Sequence, residues 1–76
     1  MNKVKIQEVF GRNYSTKIIE HLVSKGFTAP RGGILTQKVI QDIVSGRTKD
    51  IEIMEAITNF VVATEIKLEK IKNALK

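Results

Sequence analysis

Apolar residues recur three and four apart along much of this chain, and each such stretch predicts a helix with one buried face. Between Ser15 and Lys25 the stripe is Ile18, Ile19, Leu22 and Val23. Between Thr36 and Ser45 it is Val39, Ile40, Ile43 and Val44, with Gln37, Lys38, Gln41 and Asp42 on the opposite side. A shorter run from Val4 to Phe10 puts Ile6, Val9 and Phe10 at helical spacing. The alternation of Val4 and Ile6 would also suit a strand, but the spacing through Phe10 predicts a short helix. Gly11, Gly26 and Gly46 stand where these segments stop. Ser15 or Asn13 suits the start of the second segment and Thr36 the start of the third, because short side-chain oxygens accept hydrogen bonds from unpaired first-turn amides.

The last stretch begins near Asp50, another natural cap, and Glu52 and Glu55 suit the positive end of a helix dipole. Nothing breaks the helical pattern before Lys76, although Thr58-Asn59 and Thr64 are places for a kink. Met54, Ile57, Val61, Thr64, Leu68, Ile71 and Leu75 are spaced alternately three and four apart, which is a heptad seam. A helix of that length runs to about 40 Å. A compact domain of this size is only about 30 Å across. The end of the helix must therefore project, fold back on its own core, or pair with another chain. Leu68, Ile71 and Leu75 stay apolar to the end, so pairing into a homodimer through Ile57, Val61, Thr64, Leu68, Ile71 and Leu75 is the expectation.

Phe27 to Leu35 carries no helical pattern. Pro30 pushes Ala29 out of helical backbone space, and Gly32-Gly33 supplies a tight turn. A short hairpin-like or irregular excursion is expected there, with Phe27 and Ile34 or Leu35 tucked into the core. The chain as a whole reads as one all-α domain over residues 1–76, a small helix-turn-helix-like bundle ending in a long helix over 50–76.

With 76 residues the chain buries a modest core, and an oligomer would add stability. It has no cysteine, which excludes disulfides and thiolate metal sites. Its single histidine, His21, makes no metal site alone, so neither a metal nor any other cofactor is expected. Catalysis has little to work with. Ser15, Ser24 and Ser45 sit at helix boundaries, and His21 stands between Lys17 and Lys25 without an orienting carboxylate. A solvent-facing structural histidine and a non-enzymatic protein are the expectation. No apolar run is long enough to span a membrane, and the first residues show no hydrophobic signal region. A cytoplasmic location in a bacterial or phage-infected cell follows as the default.

The charge changes the picture more. Thirteen lysines and arginines face eight carboxylates, a formal net charge of +5. From Lys3 to Lys49 there are nine basic residues against Glu8, Glu20 and Asp42, whereas from Asp50 onward the signs nearly balance. Such an excess attracts a polyanion, and plain solubility is its bland alternative. A helix that reads bases needs short polar groups on its first turns, because those turns enter the major groove. Thr36, Gln37, Lys38 and Gln41 supply them: a glutamine pairs with adenine and a lysine reaches guanine. Phosphate contacts are expected from Arg12, Asn13 and Lys17 before it, from Arg31 with the amides of Gly32 and Gly33, and from Arg47, Thr48 and Lys49 after it. A merely solvated face would look similar.

The run Thr36-Gln37-Lys38-Val39-Ile40-Gln41-Asp42-Ile43-Val44-Ser45-Gly46-Arg47, followed by a helix holding Ile51, Met54, Ala56 and Ile57, resembles the third and fourth helices of lambda-repressor-like helix-turn-helix domains. The resemblance covers roughly Ser15 to Val62. It implies base contacts at Gln37, Lys38 and Gln41 and phosphate contacts near Arg47 and Lys49. The chain departs from that pattern between Gly26 and Thr36, where a regular second helix is missing. There, Lys25-Gly26-Phe27-Thr28-Ala29-Pro30-Arg31-Gly32-Gly33 through Val39 and Ile43 is similar to the DNA-binding region of large serine recombinases, without their catalytic domain. Both resemblances point to double-stranded DNA, and with the heptad seam the expectation is a dimeric, sequence-specific DNA-binding protein, a transcriptional regulator of phage or mobile-element type, with no small-molecule ligand expected. The alternative is a small protein-interaction module, a phage inhibitor or adaptor, acting through its C-terminal helix. RNA is disfavoured because the few aromatics, Phe10, Phe27, Phe60 and Tyr14, offer no exposed stacking platform.

Overall fold

A computed structural model describes residues 1–75 and contains four helices and, among those residues, no strand. They are α1 (Lys3–Phe10), α2 (Tyr14–Ser24), α3 (Gln37–Ser45) and α4 (Ile51–Ala74). The fold is all-α with a long C-terminal helix, as the periodicity predicts. The expected end of α4 at Lys76 lies outside the described residues.

Local chemistry sets most of the boundaries. The side chains of Asn2, Thr36 and Asp50 each accept a hydrogen bond from the amide three residues on, Lys5, Val39 and Ile53 respectively, and so cap α1, α3 and α4. α3 ends at Gly46, whose backbone is left-handed (φ 90°, ψ 4°). The amides of Arg47 and Thr48 then turn back onto the Asp42 carbonyl. α2 starts differently from the expectation. Ser15 is buried inside the helix rather than capping it. Asn13 holds the cap position but makes no side-chain cap bond.

The core gathers twelve buried side chains from every helix and from the connector: Ile6 and Phe10, Tyr14, Ile18 and Leu22, Leu35, Ile40, Ile43 and Val44, and Ile53, Ile57 and Val61. α2 sits at its centre and packs against α1, α3 and α4. Tyr14 is a core member that the apolar stripe does not reveal. Leu35 is buried while its neighbour Ile34 points outward, 86% exposed. Phe27 is half-buried against the cluster.

His21 departs from expectation. It is half-buried and its ring lies parallel to that of Phe60, with centroids 3.8 Å apart. Phe60 in turn stacks on Phe10 at 4.8 Å. The three rings join α2, α4 and α1 in one column. The histidine therefore packs, and is not simply a solvated residue.

α4 is one continuous helix, and neither suggested kink site interrupts it. Its first half belongs to the core. Beyond Glu65 every described side chain is exposed. The molecule measures 46 × 24 × 19 Å, with a radius of gyration of 12.9 Å. A compact chain of this length has a radius of gyration of about 11 Å. The excess is the projecting end of α4. α1 lies along its middle, where Lys5 pairs with Glu65 at 3.1 Å. Both side chains are substantially exposed, so this pair adds little stability.

Candidate nucleic-acid interface

α3 shows its solvent face through four residues. Ile40, Ile43 and Val44 point into the core, so Gln37, Lys38, Gln41 and Ser45 point out. This follows from the 100° step between successive residues of an α-helix. The polar side chains proposed to read bases therefore share one exposed surface. Thr36 accepts the Val39 amide on its hydroxyl at 3.2 Å and so serves as the cap of α3.

One flank of this face is α2. The Gln37 side-chain amide donates to the Thr16 hydroxyl at 3.2 Å. This bond marks where the N-terminal turns of α2 and α3 meet as the two helices pack. Arg12 and Asn13, both exposed, precede α2 on that side. Asn13 leaves its own side chain and the first-turn amides of α2 without a cap bond. Free amides and the dipole at a helix N-terminus together suit an anion. Thr16 is a participant that sequence reading missed. A hydroxyl beside Asn13 at the expected start of α2 was the available signal, but nothing in the sequence pointed it toward α3.

Lys17 does not join this surface. Its ammonium donates to the Phe10 carbonyl at 2.9 Å, across the turn from α1. It satisfies an unpaired carbonyl at the end of α1 instead of waiting for a phosphate. On α2 it lies 100° around from Thr16 and faces the His21–Phe60 side.

The other flank is the connector. Gly32 donates its amide to the Ala29 carbonyl at 2.8 Å, and Ala29 donates to the Gly33 carbonyl at 2.9 Å. With Gly32 at φ 82°, this is a three-residue hairpin turn, Pro30-Arg31-Gly32, with a glycine bulge. The Gly32 amide is thus committed within the turn and is not free for a phosphate, which corrects that part of the expected contact set. A cleft lined by Ala29, Pro30, Arg31, Val39, Asp42 and Thr48 separates the hairpin from α3. The hairpin consequently stands on the side of α3 away from Thr16, beside the loop that carries Arg47, Thr48 and Lys49.

Electrostatically the surface is basic and lightly braced. Arg47 is 80% exposed on its side chain and approaches Asp42 at 4.0 Å. So loose a pair leaves the guanidinium available. Lys38, Arg12, Arg31 and Lys49 are exposed, and among the described residues none has an ion-pair partner. No group of three histidine, cysteine or carboxylate side chains converges on a metal position among the described residues, and no helix is long and apolar enough to cross a membrane.

The heptad seam divides. Ile57 and Val61 are buried in the chain's own core, so they are closed to a partner, contrary to expectation. Thr64 is half-buried at the border, and Leu68, Ile71 and Leu75 are exposed on the projecting end. A seam of three and four spacing marks an apolar stripe without saying what covers it, and the first half is covered from within.

Comparison with known proteins gave no match among family models, curated proteins or solved structures.

Proposed function

We propose that this protein binds double-stranded DNA sequence-specifically, with α3 in the major groove, and acts as a transcriptional regulator of the phage or mobile-element kind. The observation that carries this reading is the Gln37–Thr16 bond. It lies where the packing of α2 on α3 leaves the N-terminal turns of both helices side by side on an exposed basic surface, and helix-turn-helix proteins present the N-terminal residues of the recognition helix to base edges. Gln41 and Lys38 are the principal base readers. Gln37 reads a base only by exchanging its bond to Thr16, or else positions Thr16 and the start of α2. Arg12 and Asn13 hold phosphates on one side of α3, and Arg47, Thr48 and Lys49 hold them on the other. Two chains pair through the distal face of α4, Thr64, Leu68, Ile71 and Leu75, and so fix the spacing of two half-sites.

The test is binding to random duplex DNA over a salt series, followed by selection from a random duplex library. Affinity that falls steeply with salt marks phosphate contact, since bound counterions are released. Enrichment of a two-fold symmetric motif supports both specificity and pairing. No binding even at low salt would overturn the reading. The exposed apolar residues at the end of α4 also favour a second reading, a protein-interaction module whose functional face is that helix. On that reading a duplex would not compete with the partner.

A further inference from the structure

The hairpin between α2 and α3 carries an exposed basic residue, and its shape is one that the helix-turn-helix resemblance does not account for. Resting on the DNA-binding reading above, we infer that it is a wing whose tip residue, Arg31, enters the minor groove bordering the half-site. Four observations converge on this. The turn is locked by two backbone hydrogen bonds, from Gly32 to Ala29 and from Ala29 to Gly33. Pro30 fixes one of its torsions, so Arg31 is presented on a stiff support. The hairpin stands on the flank of α3 opposite Thr16, across a cleft bounded by Val39, Asp42 and Thr48. Arg31 is exposed and makes no ion pair among the described residues.

The dimensions decide where the tip goes. The major groove is about 12 Å wide, and an α-helix with its side chains nearly fills it. An element on the flank of such a helix stands over the sugar-phosphate ridge. The next space beyond that ridge is the minor groove, and a long guanidinium side chain crosses the ridge to reach it. A narrow A·T-rich minor groove concentrates negative potential and draws in arginine, whereas the guanine 2-amino group of a G·C pair occupies the groove floor. Ile34, 86% exposed, adds an apolar side chain at the base of the hairpin. Arg31 is therefore a specificity-determining residue acting outside the pairs that α3 reads.

The test uses a duplex recovered by selection with the full chain. It is resynthesised with the flanking pairs on the hairpin side as A·T, G·C or inosine·C. Inosine removes only the 2-amino group and leaves the major-groove face of guanine unchanged. The wild-type protein is expected to bind the A·T and inosine·C duplexes alike, about tenfold more tightly than G·C, which is within the range of one lost base contact. Arg31→Ala is expected to bind all three alike while retaining the preference for the central motif and the same melting temperature. Wild-type indifference between inosine·C and G·C would overturn the inference and leave DNA binding standing. So would an Arg31→Ala variant that weakens binding to every duplex equally while lowering the salt slope, because that describes a phosphate contact. If no duplex is recovered at low salt, the DNA-binding reading itself falls.

Discussion

Ile57 and Leu68 lie on the same apolar stripe of α4, eleven residues apart, yet the structure gives them opposite surroundings. Ile57 is 0% exposed and Leu68 is 46% exposed. Truncating a fully buried isoleucine to alanine costs about 2–5 kcal/mol, from lost transfer energy and the cavity left behind. A domain of this length holds about 4–11 kcal/mol in total. Ile57→Ala is therefore expected to remove at least about a fifth of the stability, and a loss of about 3 kcal/mol lowers the melting temperature by about 12–24 °C. Full burial of a leucine yields about 1.5–3 kcal/mol. With about half of Leu68 in water, Leu68→Ala costs the single chain only about 1 kcal/mol. Urea unfolding followed by circular dichroism, at two protein concentrations a hundredfold apart, separates the two sites. The Ile57→Ala loss is expected at both concentrations. If chains pair through the end of α4, the Leu68→Ala loss is larger in the concentrated sample, because association stabilises the folded state by mass action. Equal and small losses for the two variants would refute the division of the seam. A concentration-dependent loss for Ile57→Ala alone would refute the assignment of its neighbourhood to the chain's own core.

Other outcomes follow from particular contacts. Gly46→Ala forces a side chain into a left-handed position and is expected to lower stability by about 1 kcal/mol or more, read by thermal melting. Lys17→Met removes the ammonium bonded to the Phe10 carbonyl, so it is expected to lower the melting temperature without changing the salt slope of DNA binding. The double variant Arg47→Ala with Lys49→Ala is expected to do the reverse, reducing the salt slope by about two for each chain bound while the melting temperature stays within a few degrees. Gln41→Ala is expected to relax the selected motif at one position and to leave binding to random duplex nearly unchanged, as measured by repeated selection.

Much of the fold is legible because several signals agree at each boundary. Thr36, the stripe through Val39 and Val44, and Gly46 define α3 from cap to stop, and Asp50 opens α4 in the same way. Where one signal stands alone, it misleads. Ser15 resembles a cap by residue type, but the chain enters α2 one residue earlier and carries it inward. The heptad reports a period and not a partner, so Ile57 and Leu68 look equivalent until the rest of the chain is folded around one of them. Lys17 looks like a phosphate ligand until the turn at Gly11 brings the end of α1 beside it. The polar face of α3 is readable from spacing, because burial of Ile40, Ile43 and Val44 forces it outward. Its two flanks are not readable, because Thr16 and the hairpin reach it only through tertiary packing.

The unbroken course of α4 makes its two halves a single angular instrument. Each residue advances the helix by about 1.5 Å and turns it by 100°. The direction faced by Leu68, Ile71 and Leu75 is therefore set by a residue count from the anchored half at Ile53, Ile57 and Val61. Inserting one residue between Val61 and Leu68 would swing the distal face a quarter-turn away while leaving the core intact. Inserting seven would restore its heading to within about 20° and move it outward by about 10 Å. Variation in that stretch is thus constrained by phase more than by residue identity. The chain can change the reach of its far end in whole heptads but not in single steps.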